Sequence, residues 1–169
     1  MLLLIASAGK ITDMITQTYI ISRLSYDPKT GIFTWINGPR SGKRAGCLLQ
    51  HGYRNINING KSYGEHRLAW LYVNGKMPDG NIDHINGTPS DNRIENLREC
   101  SQSQNKQNAR PKTGYLKGAF FDKSKGKCRA SIGPRGSVRY LGVFESQDQA
   151  HEAYALAAKQ MYGEFARTS

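Results

Sequence analysis

A carboxylate, an imidazole and side-chain amides recur at short spacings in Ile82-Asp83-His84-Ile85-Asn86-Gly87, Asp91-Asn92-Arg93-Ile94-Glu95-Asn96-Leu97 and Ser101-Gln102-Ser103-Gln104-Asn105. These groups suit one divalent cation and one activated water. Asp83 offers a hard anionic oxygen of the kind Mg²⁺ or Mn²⁺ prefers, and Asn105 offers a neutral carbonyl oxygen. Two protein ligands leave most of an octahedral shell for water and a phosphate oxygen, as a catalytic site requires. His84 has an ordinary pKa of about 6.5, which makes it a base near neutral pH and fits it to take a proton from water. The chemistry this set could perform is hydrolysis of a phosphodiester.

The elements that must position these groups are legible around them. Asn81-Ile82-Asp83-His84-Ile85 reads as a short strand stopped by Asn86-Gly87, and Leu97-Arg98-Glu99-Cys100 as a second strand. Ser101 with Gln104 forms a capping box, so a helix should start there and carry Asn105 in its early turns. Neighbouring residues on a regular strand point to opposite faces. Asp83 and His84 are therefore expected where the strand breaks into the Asn-Gly turn, at a strand end facing Asn105. Asp, Asn and Gly also cluster in ordinary turns. The additional Asn96-Leu97 and Ser-Gln-Asn elements at fixed offsets favour the catalytic reading.

The segment from about Leu24 to Asn108 resembles the HNH endonuclease superfamily, in particular its zinc-free phage and intron-encoded members. Glu65-His66-Arg67-Leu68-Ala69-Trp70 is similar to the block that precedes the family's catalytic motif. The resemblance implies that Asp83 binds the divalent metal, that His84 is the general base and that Asn105 is the second metal ligand. It also implies that Asn96 holds the metal-binding loop by hydrogen bonds, and that products carry 5′-phosphate and 3′-hydroxyl ends. With no Cys-x-x-Cys pair, no structural zinc is expected. His66, beside Arg67, is open between touching phosphate, orienting the base and simply packing in an amphipathic helix.

The chain of 169 residues carries 24 Lys+Arg against 13 Asp+Glu, a net charge of +11, which favours a polyanionic partner. No amphipathic basic helix or lipidation motif points instead to a membrane. Three widely spaced cysteines, Cys47, Cys100 and Cys128, fit free thiols in a reducing compartment. The apolar opening Met1-Leu2-Leu3-Leu4-Ile5-Ala6 lacks a basic n-region and is too short to span a bilayer. Residues 1–16 are expected to matter little.

Further along, Ile32-Phe33-Thr34-Trp35-Ile36 reads as a strand, Tyr53 to Ile58 as a strand ending in an Asn59-Gly60 hairpin turn, and His66 to Asn74 as a helix ended by Gly75. Residues 109–117 are basic and read as a linker, either solvated or in contact with phosphates. Beyond it, Gly118-Ala119-Phe120-Phe121 runs into a polar turn, Lys127 to Ile132 alternates, Val138 to Phe144 is a third strand, and Ser146 with Gln149 caps a helix. That helix carries Ala150, Ala153, Tyr154, Ala157, Ala158 and Met161 on one stripe. Together these make a three-stranded antiparallel sheet backed by a helix. Its outer face should carry Lys127, Arg129, Arg135 and Arg139, which suits either a DNA major groove or a face that is basic for solubility.

This segment resembles the plant ethylene-response-factor (APETALA-type) DNA-binding domain, through Gly126 to Ile132, Tyr140 to Phe144 and the helix ending in Tyr162-Gly163-Glu164-Phe165-Ala166. The resemblance implies DNA contacts at Arg129 and Arg139, with Lys127, Arg135 and Tyr140 beside them. The expectation is an α+β chain. It would comprise a tail (1–18), a ββα-metal nuclease module (19–108), a linker (109–117) and a DNA-binding domain (118–169). It would act on double-stranded DNA with Mg²⁺ or Mn²⁺ in the host cytoplasm, as a phage or mobile-element (homing-type) endonuclease. The alternatives are a DNA-binding regulator with an inactive nuclease module and an RNA-processing nuclease.

Overall fold

Thr16 accepts a hydrogen bond from the Tyr19 N–H and caps a short helix, α1 (Gln17–Ile21). The computed structural model describes residues 15–109, 116–134 and 137–168. Arg135 and most of the expected linker therefore lie outside the described residues. Ile15 packs on the core and Gln17 donates to the Tyr72 carbonyl, so residues expected to be part of a tail belong to the fold.

Strands β1 (Leu24–Asp27) and β2 (Ile32–Trp35) form a hairpin whose alternation sends Leu24, Tyr26, Phe33 and Trp35 inward. At its turn, Gly31 has φ +71°, and a Cβ there would collide with the backbone of Asn92 and Arg93. Only glycine allows the hairpin to press this closely on that loop. Strands β3 (Cys47–Leu48), β4 (Arg54–Ile58) and β5 (Lys61–Gly64) form an antiparallel sheet in that order. Asn59 and Gly60, both at positive φ, make the β4–β5 turn as their sequence predicts. Helix α2 (Glu65–Asn74) follows at once and closes at Gly75, whose N–H donates to the Leu71 carbonyl. Buried Glu65 pairs with Arg54 at 2.9 Å and ties α2 to β4. Burial raises the Glu65 pKa, and the Arg54 guanidinium opposes that shift.

Strand β6 (Asn81–His84) pairs antiparallel with β7 (Leu97–Cys100), which a single 3₁₀ turn (Ile94–Asn96) precedes. Ser101 and Gln104 form the expected capping box of α3 (Gln102–Asn108). Ile82 and Leu97 join the same hydrophobic cluster as Ile20, Phe33, Ile56 and Leu68. The strand pair that carries Asp83 and His84 is thereby anchored on the main core.

Strands β8 (Ala119–Asp122), β9 (Lys127–Ile132) and β10 (Arg139–Phe144) form an antiparallel sheet in the order β10-β9-β8. Helix α4 (Gln147–Tyr162), capped by Ser146 and Gln149, lays Ala150, Tyr154 and Ala158 against Cys128, Ala130 and Ile132. Small side chains let helix and sheet approach closely. Met161 departs from the expected stripe and is exposed. The buried row advances by four residues per turn and continues to Tyr162, which packs on Ile132 and Ala158 and turns Met161 outward. The architecture is α+β, with small antiparallel sheets and short helices. Among the described residues, no helix is long and apolar enough to cross a membrane.

Candidate active site

Where β6 ends, the chain borders a cavity of about 370 Å³ lined by Tyr53, Asp83, His84, Asn105, Lys106 and Asn108, among others. Register explains the surroundings of Asp83. It stands directly opposite Arg98 on β7, and Arg98 Nε and Nη2 donate to its Oδ2 at 2.9 and 2.8 Å. From α3, the Asn108 amide donates to Asp83 Oδ1 at 2.9 Å, to Oδ2 at 3.1 Å and to the His84 carbonyl at 2.8 Å. Three donors thus hold a carboxylate that is only 4 % exposed.

His84, next along the strand, faces the other way. Its ring lies 5.4 Å from His66 and 5.9 Å from Tyr53, centroid to centroid. Its Nε2 lies 3.1 Å from Asn92 Oδ1, and an amide oxygen there requires Nε2 to carry the proton. Nδ1 is left as the basic nitrogen. Burial lowers the His84 pKa, opposed by the Asn92 hydrogen bond and the Asp83 and Asp91 charges, so the ring is neutral at pH 7.

Asn92 is fully buried. Its carbonyl accepts from the Tyr26 hydroxyl at 2.7 Å, and the β1–β2 turn backs it at Gly31. Asn96 closes the 86–91 loop at both ends. Its Nδ2 donates to the Asp91 carbonyl at 2.8 Å and to Asn86 Oδ1 at 3.1 Å, and its Oδ1 accepts from the Asn86 N–H at 2.9 Å. The Arg93 guanidinium bonds Asp91 and holds its carboxyl down to about 2.

His66 packs in the wall beside His84. Burial pushes its pKa down to about 4, and the neighbouring His84 and Arg67 add to the shift. Arg67 donates to the carbonyls of Pro78 and Gly80, fixing the chain that enters β6.

Not every expected residue is where the sequence placed it. Asn105 lines the cavity but is itself exposed, and the amide bonded to Asp83 is the buried Asn108, one helical turn later. The two share a helix face at i, i+3, the spacing that could have revealed Asn108. Arg98 was also missed, although pairing β6 with β7 in register puts it opposite Asp83. Asn92 sits in an irregular loop, and no local pattern marks it.

On the C-terminal sheet, Arg129 and Tyr140 border one shallow depression with Phe120 and Val138. Lys127 is exposed but paired with Glu145 at 2.6 Å. Arg139, expected beside Arg129, stands opposite Ile132, whose side chain faces the helix. The two-residue pleat therefore gives the outer face to Val138 and Tyr140, with Arg139 exposed at the end of the other face.

Among the described residues, no group of three or more His, Cys, Asp or Glu gathers where it could hold a metal ion. The side-chain oxygens bordering the cavity are the Asp83 carboxylate, the Asn105 and Asn108 amides and the Tyr53 hydroxyl.

Residues 63–107 match the family described as HNH endonuclease. Over 103 residues the chain is 31% identical to the uncharacterized HNH endonuclease L560 of Acanthamoeba polyphaga mimivirus, covering 60% of this chain and 54% of that protein. Over 113 residues it is 30% identical to Protein 3.8 of Escherichia phage T7, covering 63% of this chain and 91% of that protein. The chain thus spans about half the length of the mimivirus relative and most of the phage one. No solved structure gives a significant match.

Proposed function

We propose, from the HNH endonuclease match of residues 63–107 and the HNH relative, that the chain hydrolyses phosphodiester bonds of double-stranded DNA at the Asp83–His84 cavity. The observation that carries this reading is the pairing, on one strand end, of an imidazole bonded through Nε2 with a buried carboxylate fixed by three donors. His84 Nδ1 takes the proton from a water in the cavity, and that water's oxygen attacks phosphorus in line with the departing 3′ oxygen. The ends left are a 5′-phosphate and a 3′-hydroxyl. His66, kept neutral by burial, and Tyr53 wall the ring of His84, whose burial lowers its pKa.

The donor set fits Mg²⁺ or Mn²⁺. Asp83 Oδ1 accepts one hydrogen bond where a carboxylate oxygen can accept two, and Asn105 borders the same cavity. Asn108, spent as a donor, holds the carboxylate in place. A divalent cation bound to Asp83 and Asn105 would offset the charge that builds on the phosphate and the leaving oxygen.

In this reading, residues 19–108 form the ββα-metal nuclease module and 118–169 a DNA-binding domain of the ethylene-response-factor type. Arg129 and Tyr140 lie on its outer sheet face, with Lys127 nearby, and the surplus of +11 charges supports the duplex. A phage or mobile-element origin fits the viral relatives. The test is supercoiled plasmid incubated with Mg²⁺ or Mn²⁺ and with EDTA. Conversion to open-circle or linear DNA in the metal lanes alone is expected. Plasmid that is retarded in a gel but never cut would instead indicate a DNA-binding regulator.

A further inference from the structure

Arg98 touches two segments far apart in the chain, β6 and the turn that follows α4. Its Nε and Nη2 hold Asp83 Oδ2, while Nη1 donates to the Glu164 carbonyl at 2.9 Å. Its guanidinium carbon lies 3.8 Å from the centroid of the Phe165 ring. Glu164 and Phe165 belong to a 3₁₀ turn, Gly163–Phe165, that follows α4 and packs on α3. Phe165 is 8 % exposed, yet it belongs to neither hydrophobic cluster of the C-terminal sheet and helix. What its ring covers is the arginine. From the same unit, Lys117 donates to the carbonyls of Gln107 and Ala109 and closes the C-terminal end of α3, the helix that carries Asn105 and Asn108.

A carboxylate turns about a single bond, and donors on one oxygen fix which way the other points. The Arg98 fork can hold that plane because the guanidinium is rigid and is itself clamped between a ring face and a carbonyl. We propose that Arg98 is a positioning residue for Asp83 and that the Gly163–Phe165 turn holds it. The C-terminal unit would then set how tightly the nuclease cavity takes a divalent cation, besides any DNA it grips. The inference rests on Asp83 being a metal ligand, as read above.

Charge-conserving variants separate positioning from simple electrostatics, because deleting the Arg98 charge would itself favour a cation. The experiment titrates Mn²⁺ into the full chain without DNA, reading free Mn²⁺ by electron paramagnetic resonance, with melting temperature as a check on folding. Partners one shell out from a metal change its affinity by about 10–100-fold, so Arg98→Lys should weaken Mn²⁺ binding by about tenfold. Phe165→Leu, one contact further away, should weaken it by about fivefold, within the worth of a desolvated cation–π contact. Phe165→Tyr keeps the ring face and should restore wild-type affinity. The Mn²⁺ concentration for half-maximal plasmid cleavage should rise in parallel. If Phe165→Leu does not fold, Arg98→Lys decides. Wild-type Mn²⁺ affinity in folded Arg98→Lys and Phe165→Leu proteins would overturn the coupling and leave the nuclease reading standing. A wild-type chain that takes up no Mn²⁺ would overturn both.

Discussion

Replacing Asn92 by Leu isolates the orientation of the base from the integrity of the fold. Leu has nearly the shape of Asn, so no cavity opens at a position that is fully buried. Two opposing changes in stability follow. His84 Nε2–H loses its acceptor, which costs about 1–3 kcal/mol for a buried donor. The Asn92 amide nitrogen, which has no hydrogen-bond partner among the described residues, disappears, and that relieves a penalty of similar size. Net stability should therefore change by no more than about 2 kcal/mol, equivalent to a few degrees in melting temperature. The chemistry should not survive so well. The Asn92 bond favours the tautomer with Nδ1 free, and a hydrogen bond with a net worth of about 0.5–1.5 kcal/mol corresponds to about two- to tenfold in tautomer population. Loss of ring orientation adds to this, because misplacement of a reacting group by about 1 Å can cost about 10²-fold. Together, cleavage should fall by about 10–100-fold. Initial rates of plasmid nicking at saturating Mg²⁺, beside a thermal melt, measure both quantities. Wild-type cleavage by Asn92→Leu would refute the assignment of the base nitrogen. A loss of stability of several kcal/mol would show that the residue serves the fold first.

Three other perturbations test neighbouring parts of the account. His84→Ala should reduce cleavage by about 10²–10⁴-fold while leaving affinity for DNA in EDTA nearly unchanged, as a gel-shift assay would show. Stability should fall as pH drops from about 6.5 to about 4, because His66 protonates near 4 in the folded chain but near the ordinary histidine value when unfolded. Over that window the unfolded state binds the extra proton, so the contribution present at neutral pH, up to about 3 kcal/mol before screening, is progressively lost. Urea melts of wild type and His66→Gln across this range check it, and the variant should show the shallower decline. Gly31→Ala should destabilise by about 2 kcal/mol or more, since it combines positive φ with a collision against the Asn92 backbone. Cleavage should fall with it, because the displaced loop carries Asn92.

What could be read along the chain was local. The Ser101–Gln104 capping box, the Asn59-Gly60 turn, the end of α2 at Gly75 and the short strands around Asp83 and Leu97 all carry their signals within a few residues, and all stand as expected. Asp83, His84 and Asn105, named together from those local signals, border one cavity. The groups that hold Asp83 and His84 depend on tertiary contacts. Arg98 reaches Asp83 only through the β6–β7 register. Asn108 does so through the docking of α3, and Asn92 through a loop braced by Tyr26 and Gly31. Arg139 was misplaced because counting basic residues ignores the pleat, which alternates faces at every step. The contact of the Gly163–Phe165 turn with Arg98 joins segments far apart in sequence, and no local motif announces it.

The most direct test of the account is the anomalous difference density of crystals grown with Mn²⁺. One peak should lie within bonding distance of Asp83 Oδ1 and the Asn105 side-chain oxygen, beside the His84 ring. Mn²⁺ bound elsewhere, with the Asp83–Asn105 cavity empty at saturating concentration, would contradict it.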